Sequence, residues 1–174
     1  MNKRVKMTKT LFKGKTIKLG DNISTDHIIP GRFAYLRSNL PELAKHVLED
    51  TLPDFNSRVK VGDVLVGGNN FGLGSSREHA PVVIKMAGIS VILVKSVARI
   101  FFRNAINQGM PVLFCDTDKI SDGDELEIDV SEGKVTDVTN GVVLKTSKMP
   151  PLMSVIVGEG GLIPYIKKHH DFIL

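Results

Sequence analysis

Residues 63 to 116 run DVLVGG, HAPVVIKMAG, SVILVKS, VARIFFRNAINQG and PVLFCD, with the stretch NNFGLGSSRE set after the first. Three short apolar runs alternate with two stretches whose apolar residues recur at helical spacing, and the two stretches close at Gly88 and Gly109. A chain patterned strand–helix–strand–helix–strand lays its strands parallel with right-handed crossovers, because each helix then packs back onto the sheet. This pattern leaves few folds open.

The flanks add to it. A basic stretch, residues 1–13, precedes a short strand, KTIKLG, and a long non-repetitive loop, DNISTDHIIPGRFAYLR. PELAKHVLED is predicted helical, with Pro41 at its start and Leu43, Val47 and Leu48 on one face. From residue 119 the character changes: KISDGDELEID, SEGKVTDVT and GVVLKTSKM read as an antiparallel meander or barrel rim. Residues 151–174 read as a final helix interrupted by Gly158, Gly160 and Gly161. The expectation is one mixed α/β domain over residues 1–174, a parallel β-α-β centre with additional antiparallel, barrel-like strands.

Composition excludes several classes. The single cysteine, Cys115, sits in an apolar run and permits no intrachain disulfide. A thiolate-held iron–sulfur cluster takes three or four cysteines, so no metal site is expected on this chain. The net charge of +4 derives largely from Lys3, Arg4, Lys6, Lys9, Lys13, Lys15, Lys167 and Lys168. The body between these ends is close to neutral and has no RNA-binding aromatic signature, so no nucleic-acid partner is expected. No apolar stretch approaches the roughly 20 residues of a membrane span. No apolar core follows the basic N-terminus as in a secretory signal, so a cytoplasmic protein is expected.

The residues that carry chemistry fall in two islands. In GGNNFGLGSSREHAP, Gly72 and Gly74 allow a sharp turn and close approach to a ligand. Ser75 or Ser76 is then expected to cap the following helix, whose free N–H groups and partial positive charge would sit beside the bidentate donor Arg77. That makes an anion receptor. Ser75 with Glu78 could instead be a plain capping box. The pattern is neither a dinucleotide fingerprint nor a phosphate-binding P-loop, lacking the third glycine and the Gly-Lys-Ser/Thr ending. The second island, GDNISTDHIIPGR, holds Asp26 and His27, and Arg37 follows in YLR.

Taken with SVARIFFRNAINQGMPVL downstream, the two islands resemble the small subunits of the aconitase superfamily, and within it those of 3-isopropylmalate dehydratase. The resemblance runs from about Gly14 to the C-terminal helix. It implies the swivelling β/β/α domain, and a large subunit that carries a 4Fe-4S cluster and completes a heterodimer or heterotetramer. The implied reaction is dehydration and rehydration of a small carboxylate substrate. By position, Ser75 is similar to the family's catalytic serine, working as an alkoxide, and Asp26 to an aspartate that partners a histidine of the large subunit. Arg77 and Ser76 would bind substrate, while His27, Gly74 and His79 would support them. Arg37 resembles the residue that reads the variable group of the substrate. An arginine there suits a distal carboxylate, as in homoaconitate or aconitate, whereas isopropylmalate presents an isopropyl group. A homoaconitase-like or broad-specificity hydro-lyase is therefore the alternative implied.

Overall fold

The computed structural model describes residues 11–170. Seven strands form one sheet: β1 (Leu11–Lys18), β2 (Val64–Val66), β3 (Val91–Val94), β4 (Val112–Phe114), β5 (Glu125–Asp129), β6 (Lys134–Asp137) and β7 (Val143–Lys145), in the order β4-β3-β2-β1-β5-β6-β7. Seven helices accompany them: α1 (Thr25–Ile28), α2 (Leu40–Ala44), α3 (Phe55–Arg58), α4 (His79–Met86), α5 (Arg99–Asn107), α6 (Pro151–Gly158) and α7 (Leu162–His169).

The predicted parallel centre is present. β2, β3 and β4 pair parallel in the registers Val64↔Val91 and Ile92↔Val112, joined by α4 and α5. β1 belongs to both halves of the sheet. Its first five residues pair antiparallel with β5, Leu11↔Asp129 to Lys15↔Glu125, and its last three pair parallel with β2, Thr16↔Val64 to Lys18↔Val66. At the changeover the buried Asp63 carboxylate accepts the Lys15 N–H at 3.1 Å and the Lys60 N–H at 2.8 Å. Here a side chain at Gly14 would collide with the Gly62 carbonyl, so only glycine lets the turn before β2 approach β1.

The predicted meander is β5, β6 and β7, all antiparallel. Beyond β7 the chain returns to the opposite edge, where the Ser147 N–H donates to the Phe114 carbonyl at 2.9 Å and the Phe114 N–H to Ser147 Oγ at 3.1 Å. The sheet thus curls into a half-barrel. Val64, Val66, Leu93, Leu113, Leu126, Ile128, Val135 and Leu144 fill the inside of the curl. The alternate residues of the parallel strands, Leu65, Ile92 and Val94, pack the other face with Val83 and Ile84 of α4 and Phe101 and Ala105 of α5. Burial on both faces explains why these strands read as unbroken apolar runs. Each such side chain contributes about 1.5–3 kcal/mol.

Several expectations shift. β1 begins at Leu11, so the basic stretch set at 1–13 overlaps a strand in which Lys13 lies 3.2 Å from Glu125 and 3.3 Å from Glu127. Residues 1–10 lie outside the described residues, as do 171–174. The long loop after β1 contains α1 and a 3₁₀ helix, Gly31–Leu36. The helix predicted over PELAKHVLED stops at Ala44: the Lys45, His46 and Val47 amides bond three residues back, and Leu48 then takes a left-handed backbone (φ 58°) with its side chain 0% exposed. The C-terminal helix is two helices, broken where Gly160 and Gly161 take positive φ. Burial of Cys115 pushes its thiol up to about 12 and leaves it unreactive. Among the described residues no helix is long and apolar enough to cross a membrane.

Two buried carboxyls face each other where β6 ends. Burial, and the neighbouring Asp124 carboxyl, hold the Asp137 carboxyl above its usual 3.8. The folded protein therefore keeps this proton more tightly than the unfolded chain does, and stability falls as pH rises through the interval above 3.8. Asp124→Asn removes the second carboxylate and is expected to raise the urea midpoint more at pH 7 than at pH 4. Equal shifts at the two pH values would mean that the pair does not share a proton.

Candidate functional site

The glycine-rich stretch after β2 is not a free loop. It continues the parallel sheet past the ends of β1, β2 and β3, hydrogen-bonded on both sides. Toward the segment after β1, the Asn22 N–H donates to the Asn69 carbonyl at 2.7 Å, the Gly72 N–H to Ile23 at 2.6 Å and the Thr25 N–H to Leu73 at 2.8 Å. Toward the segment after β3, the Lys95 N–H donates to Gly68 at 3.1 Å, the Phe71 N–H to Ser96 at 3.1 Å and the Ala98 N–H to Phe71 at 2.8 Å. At Gly72 (φ 72°) a Cβ would enter the Phe101 ring, so glycine is required for close packing on α5. The Asp21 carboxylate accepts the Asn69 N–H at 2.6 Å, and this bond holds it below the ordinary carboxylate range.

This zipper sets the first island against the second. The Ser75 N–H donates to Thr25 Oγ1 at 3.2 Å, and Ser75 Oγ stands 3.3 Å from the same oxygen. Thr25 is 1% exposed and opens α1. That helix carries the capping box: Ser24 Oγ accepts the His27 N–H at 3.1 Å, and His27 Nδ1 accepts the Ser24 N–H at 3.0 Å. A four-residue helix so closed presents Asp26 to Arg77, with Oδ1 2.5 Å from Nη1, and Nη1 also donates to the Ile29 carbonyl at 3.0 Å. Both bonds use one nitrogen. Among the described residues Nε and Nη2 have no protein partner, and they lie on a residue that lines the cleft. Buried Asn104 of α5 donates to the Ser76 carbonyl at 3.3 Å.

The expected helix cap is absent. α4 begins at His79, with Glu78 at the cap position and no side-chain cap bond, so neither Ser75 nor Ser76 caps it and Ser75–Glu78 is no capping box. The reason is local: Gly74 (φ 105°) turns the chain so that Ser75 spends its N–H on Thr25, four residues before the helix starts. The polarised N–H groups expected beside the serines are replaced by one threonine hydroxyl.

An open cleft of about 430 Å³ is lined by Arg37, Ser75, Ser76, Arg77, Glu78 and His79. A smaller recess beside it is lined by Ile29, Pro30, Ala34 and Leu43 together with Arg37, Arg77 and His79. The structure thus gathers Ser75, Ser76, Arg77, Arg37 and His79 on one surface, with Asp26 joined through Arg77. Gly74 is exposed and lies against Thr25, where a Cβ would come within 3.2 Å of the hydroxyl. His27 stays outside the cleft lining, occupied with the Ser24 backbone. Two residues went unread in the sequence. Thr25 lies inside the quoted island but looks like a solvated loop residue, and Asn104 is legible only as a polar residue on the buried face of α5. Among the described residues no three His, Cys, Asp or Glu side chains are grouped to hold a metal ion.

Known proteins share this sequence and fold. The aconitase C-terminal domain family matches residues 44–116. The 3-isopropylmalate dehydratase small subunit 2 of Archaeoglobus fulgidus is 56% identical over 158 residues, 91% of this chain and 96% of that protein. The small subunit 1 of Thermotoga maritima is 53% identical over 93% of this chain and 98% of its own length. The isopropylmalate/citramalate isomerase small subunit of Methanocaldococcus jannaschii is 48% identical over 92% and 96%. A crystal structure of 3-isopropylmalate dehydratase from the same organism superposes with a TM-score of 0.87 at 43% identity, covering 92% of this chain and 95% of that one. Sharing sequence along nearly its whole length and the same curled sheet, the chain belongs to the family of 3-isopropylmalate dehydratase small subunits, built on the aconitase C-terminal domain.

Proposed function

We propose that this chain is the small subunit of a cytoplasmic 3-isopropylmalate dehydratase, a hydro-lyase that interconverts 2- and 3-isopropylmalate in leucine biosynthesis together with a large subunit. One observation carries the reading: on a chain that aligns with such a subunit over 91% of its length, Ser75, Arg77 and Arg37 line a single open cleft. The cleft is one-sided, so a second protein is needed to enclose a substrate and exclude water. This chain offers no metal site among its described residues, and the 4Fe-4S cluster is assigned to the large subunit, where it would supply a Lewis acid for the departing hydroxyl.

The chain's own residues account for binding and proton transfer. The unpaired edge of Arg77 suits a substrate carboxylate bidentately. Ser75 Oγ, as the alkoxide, takes the proton from the carbon next to the hydroxyl-bearing one, and on rehydration the proton goes to the carbon that lost the hydroxyl while the new hydroxyl adds to its neighbour. A serine hydroxyl is a feeble base. Thr25 Oγ1 already accepts the Ser75 N–H and so has its own proton free to donate to a Ser75 oxyanion, with Arg77 as the neighbouring cation. Ser76 is held by Asn104 at its carbonyl, leaving its hydroxyl for substrate. Asp26 orients Arg77 in the free chain and is exposed enough to meet a partner histidine.

A second reading rests on Arg37, which lines both the cleft and the recess. Its guanidinium is exposed here, and covering it without a partner would cost several kcal/mol. A substrate with a distal carboxylate, such as homoaconitate, would satisfy it. A relative whose printed name joins isopropylmalate to citramalate shows that alkyl-bearing substrates occur close by in the family.

Co-expression with the cognate large subunit and assay on these acids tests both readings. Ser75→Ala is expected to lower turnover about 10²–10⁴-fold while the subunits still co-elute in gel filtration; full activity in the variant removes Ser75 from the chemistry. Arg37→Val is expected to raise the isopropylmalate-to-homoaconitate ratio of kcat/KM about tenfold. An unchanged ratio means that discrimination lies elsewhere.

A further inference from the structure

The segment that brings Arg37 to the cleft is weakly held. None of residues 31–36 is buried. Its flanking backbone bonds are local: Phe33 N–H to Pro30 at 3.0 Å, Arg37 N–H to Ala34 at 3.4 Å and Asn39 N–H to Leu36 at 2.8 Å. Phe33 and Leu36 touch the core while only partly buried. A segment with these features opens easily unless something outside it holds it.

Arg32 is that tether. Its Nη1 and Nη2 donate to the two oxygens of Asp50 at 2.5 and 2.6 Å, and Nη2 donates also to Glu49 at 3.0 Å. The guanidinium lies 4.5 Å above the Phe33 ring, and that ring stacks on His46 at 3.9 Å and 15°. His46 Nδ1 in turn stands 2.5 Å from the other Glu49 oxygen, which closes the network. The hydrogen bonds from Arg32 hold the Asp50 carboxyl below its ordinary range.

The far side of this clasp is firm. In the turn holding His46, Glu49 and Asp50, the Leu48 N–H donates to the Ile28 carbonyl at 3.0 Å, and Asn56 Nδ2 donates to Lys45 at 2.7 Å. Ile28 is the last residue of α1, the helix that presents Asp26 to Arg77. The turn is therefore tied to that helix by backbone, whereas the loop is tied to the turn through the Arg32 network.

We infer that Arg32 is a positioning residue: its fork on Asp50 and Glu49 sets where the 31–37 loop, and with it Arg37, stands relative to Arg77 and Asp26 across the cleft. The inference rests on the proposed reaction for its kinetic consequence, but not for its structural one. A planar two-pronged donor fixes direction as well as distance, which a lysine ammonium cannot do. The pair is about half exposed, 49% and 51%, so added salt weakens it.

The test compares Arg32→Ala, Arg32→Lys and the exchanged pair Arg32→Asp with Asp50→Arg. In the full chain alone, Arg32→Ala is expected to speed amide exchange over residues 31–39 by about tenfold, with the thermal midpoint and the exchange of β2 and β3 unchanged. In the complex, the same variant is expected to raise the KM for 2-isopropylmalate about fivefold with kcat within about twofold. Arg32→Lys should recover little of either effect and the exchanged pair most of both. Unchanged exchange, or faster exchange with an unaltered KM, overturns the proposal, as does a loss that the exchanged pair leaves unrepaired. Should the wild-type complex fail to turn over any malate-type acid, the enzyme reading falls, and the exchange data alone decide the clasp.

Discussion

The site depends on the parallel pairing of residues 19–25 with 66–73. Four backbone bonds, from the Leu19 N–H to Val66 and the Asn22, Gly72 and Thr25 amides to their counterparts, carry the sheet beyond its strands and lay two distant segments side by side. The Thr25–Ser75 and Asp26–Arg77 contacts follow from that register. Thr25 meets Ser75 because Ser24 is bridged to Leu73, and Asp26, the next residue, meets Arg77 two positions past Ser75. A slip of one residue would turn the serines away from the threonine, since side chains alternate faces along an extended chain. The glycines are part of the same constraint, because Gly72 admits the Phe101 ring of α5 and so presses the zipper onto the helical layer.

The electrostatics of the cleft are unfinished in the free chain. Arg77 spends one nitrogen on Asp26 and Ile29, Arg37 is exposed, and acidic compensation comes from Asp26 and the exposed Glu78. Such an arrangement suits an anion that arrives together with a covering protein. Water screens the two guanidinium groups until then, and their attraction for a carboxylate strengthens once the cleft is closed and dry. The half-barrel beneath supplies rigidity, with the inside of its curl filled by aliphatic side chains and its parallel face backed by α4 and α5. The 31–37 loop meets this scaffold through the part-buried Phe33 and Leu36.

Where the sequence could be read, the reason was periodicity or a turn signal. The β2-α4-β3-α5-β4 core and the antiparallel β5-β6-β7 meander follow from apolar runs bounded by glycines, and Gly88 and Gly109 do close their helices with positive φ. Where it misled, a tertiary contact had overridden a local preference. Ser75 has the right identity and spacing to cap α4, yet its N–H is taken by Thr25 from another segment. Leu48 belongs to a helical pattern, yet its N–H is taken by the Ile28 carbonyl of α1 and its backbone is left-handed. The short helix at Thr25–Ile28 is held by a histidine acting as the reciprocal capping side chain, a role usually filled by Glu or Gln.

By itself, then, the chain's sequence determined the layer order, the absence of a cysteine set for a cluster, and the residue types that could bind a carboxylate. These are properties of composition and short-range spacing, which act before the chain is folded. Only the tertiary structure decided that Thr25 rather than a helix end supports Ser75, that Arg77 divides itself between Asp26 and the cleft, and that Arg32 holds the loop of Arg37. Each of those is a contact between segments 17 or more positions apart, and no local pattern encodes a contact whose partner is brought in by the closing of a sheet.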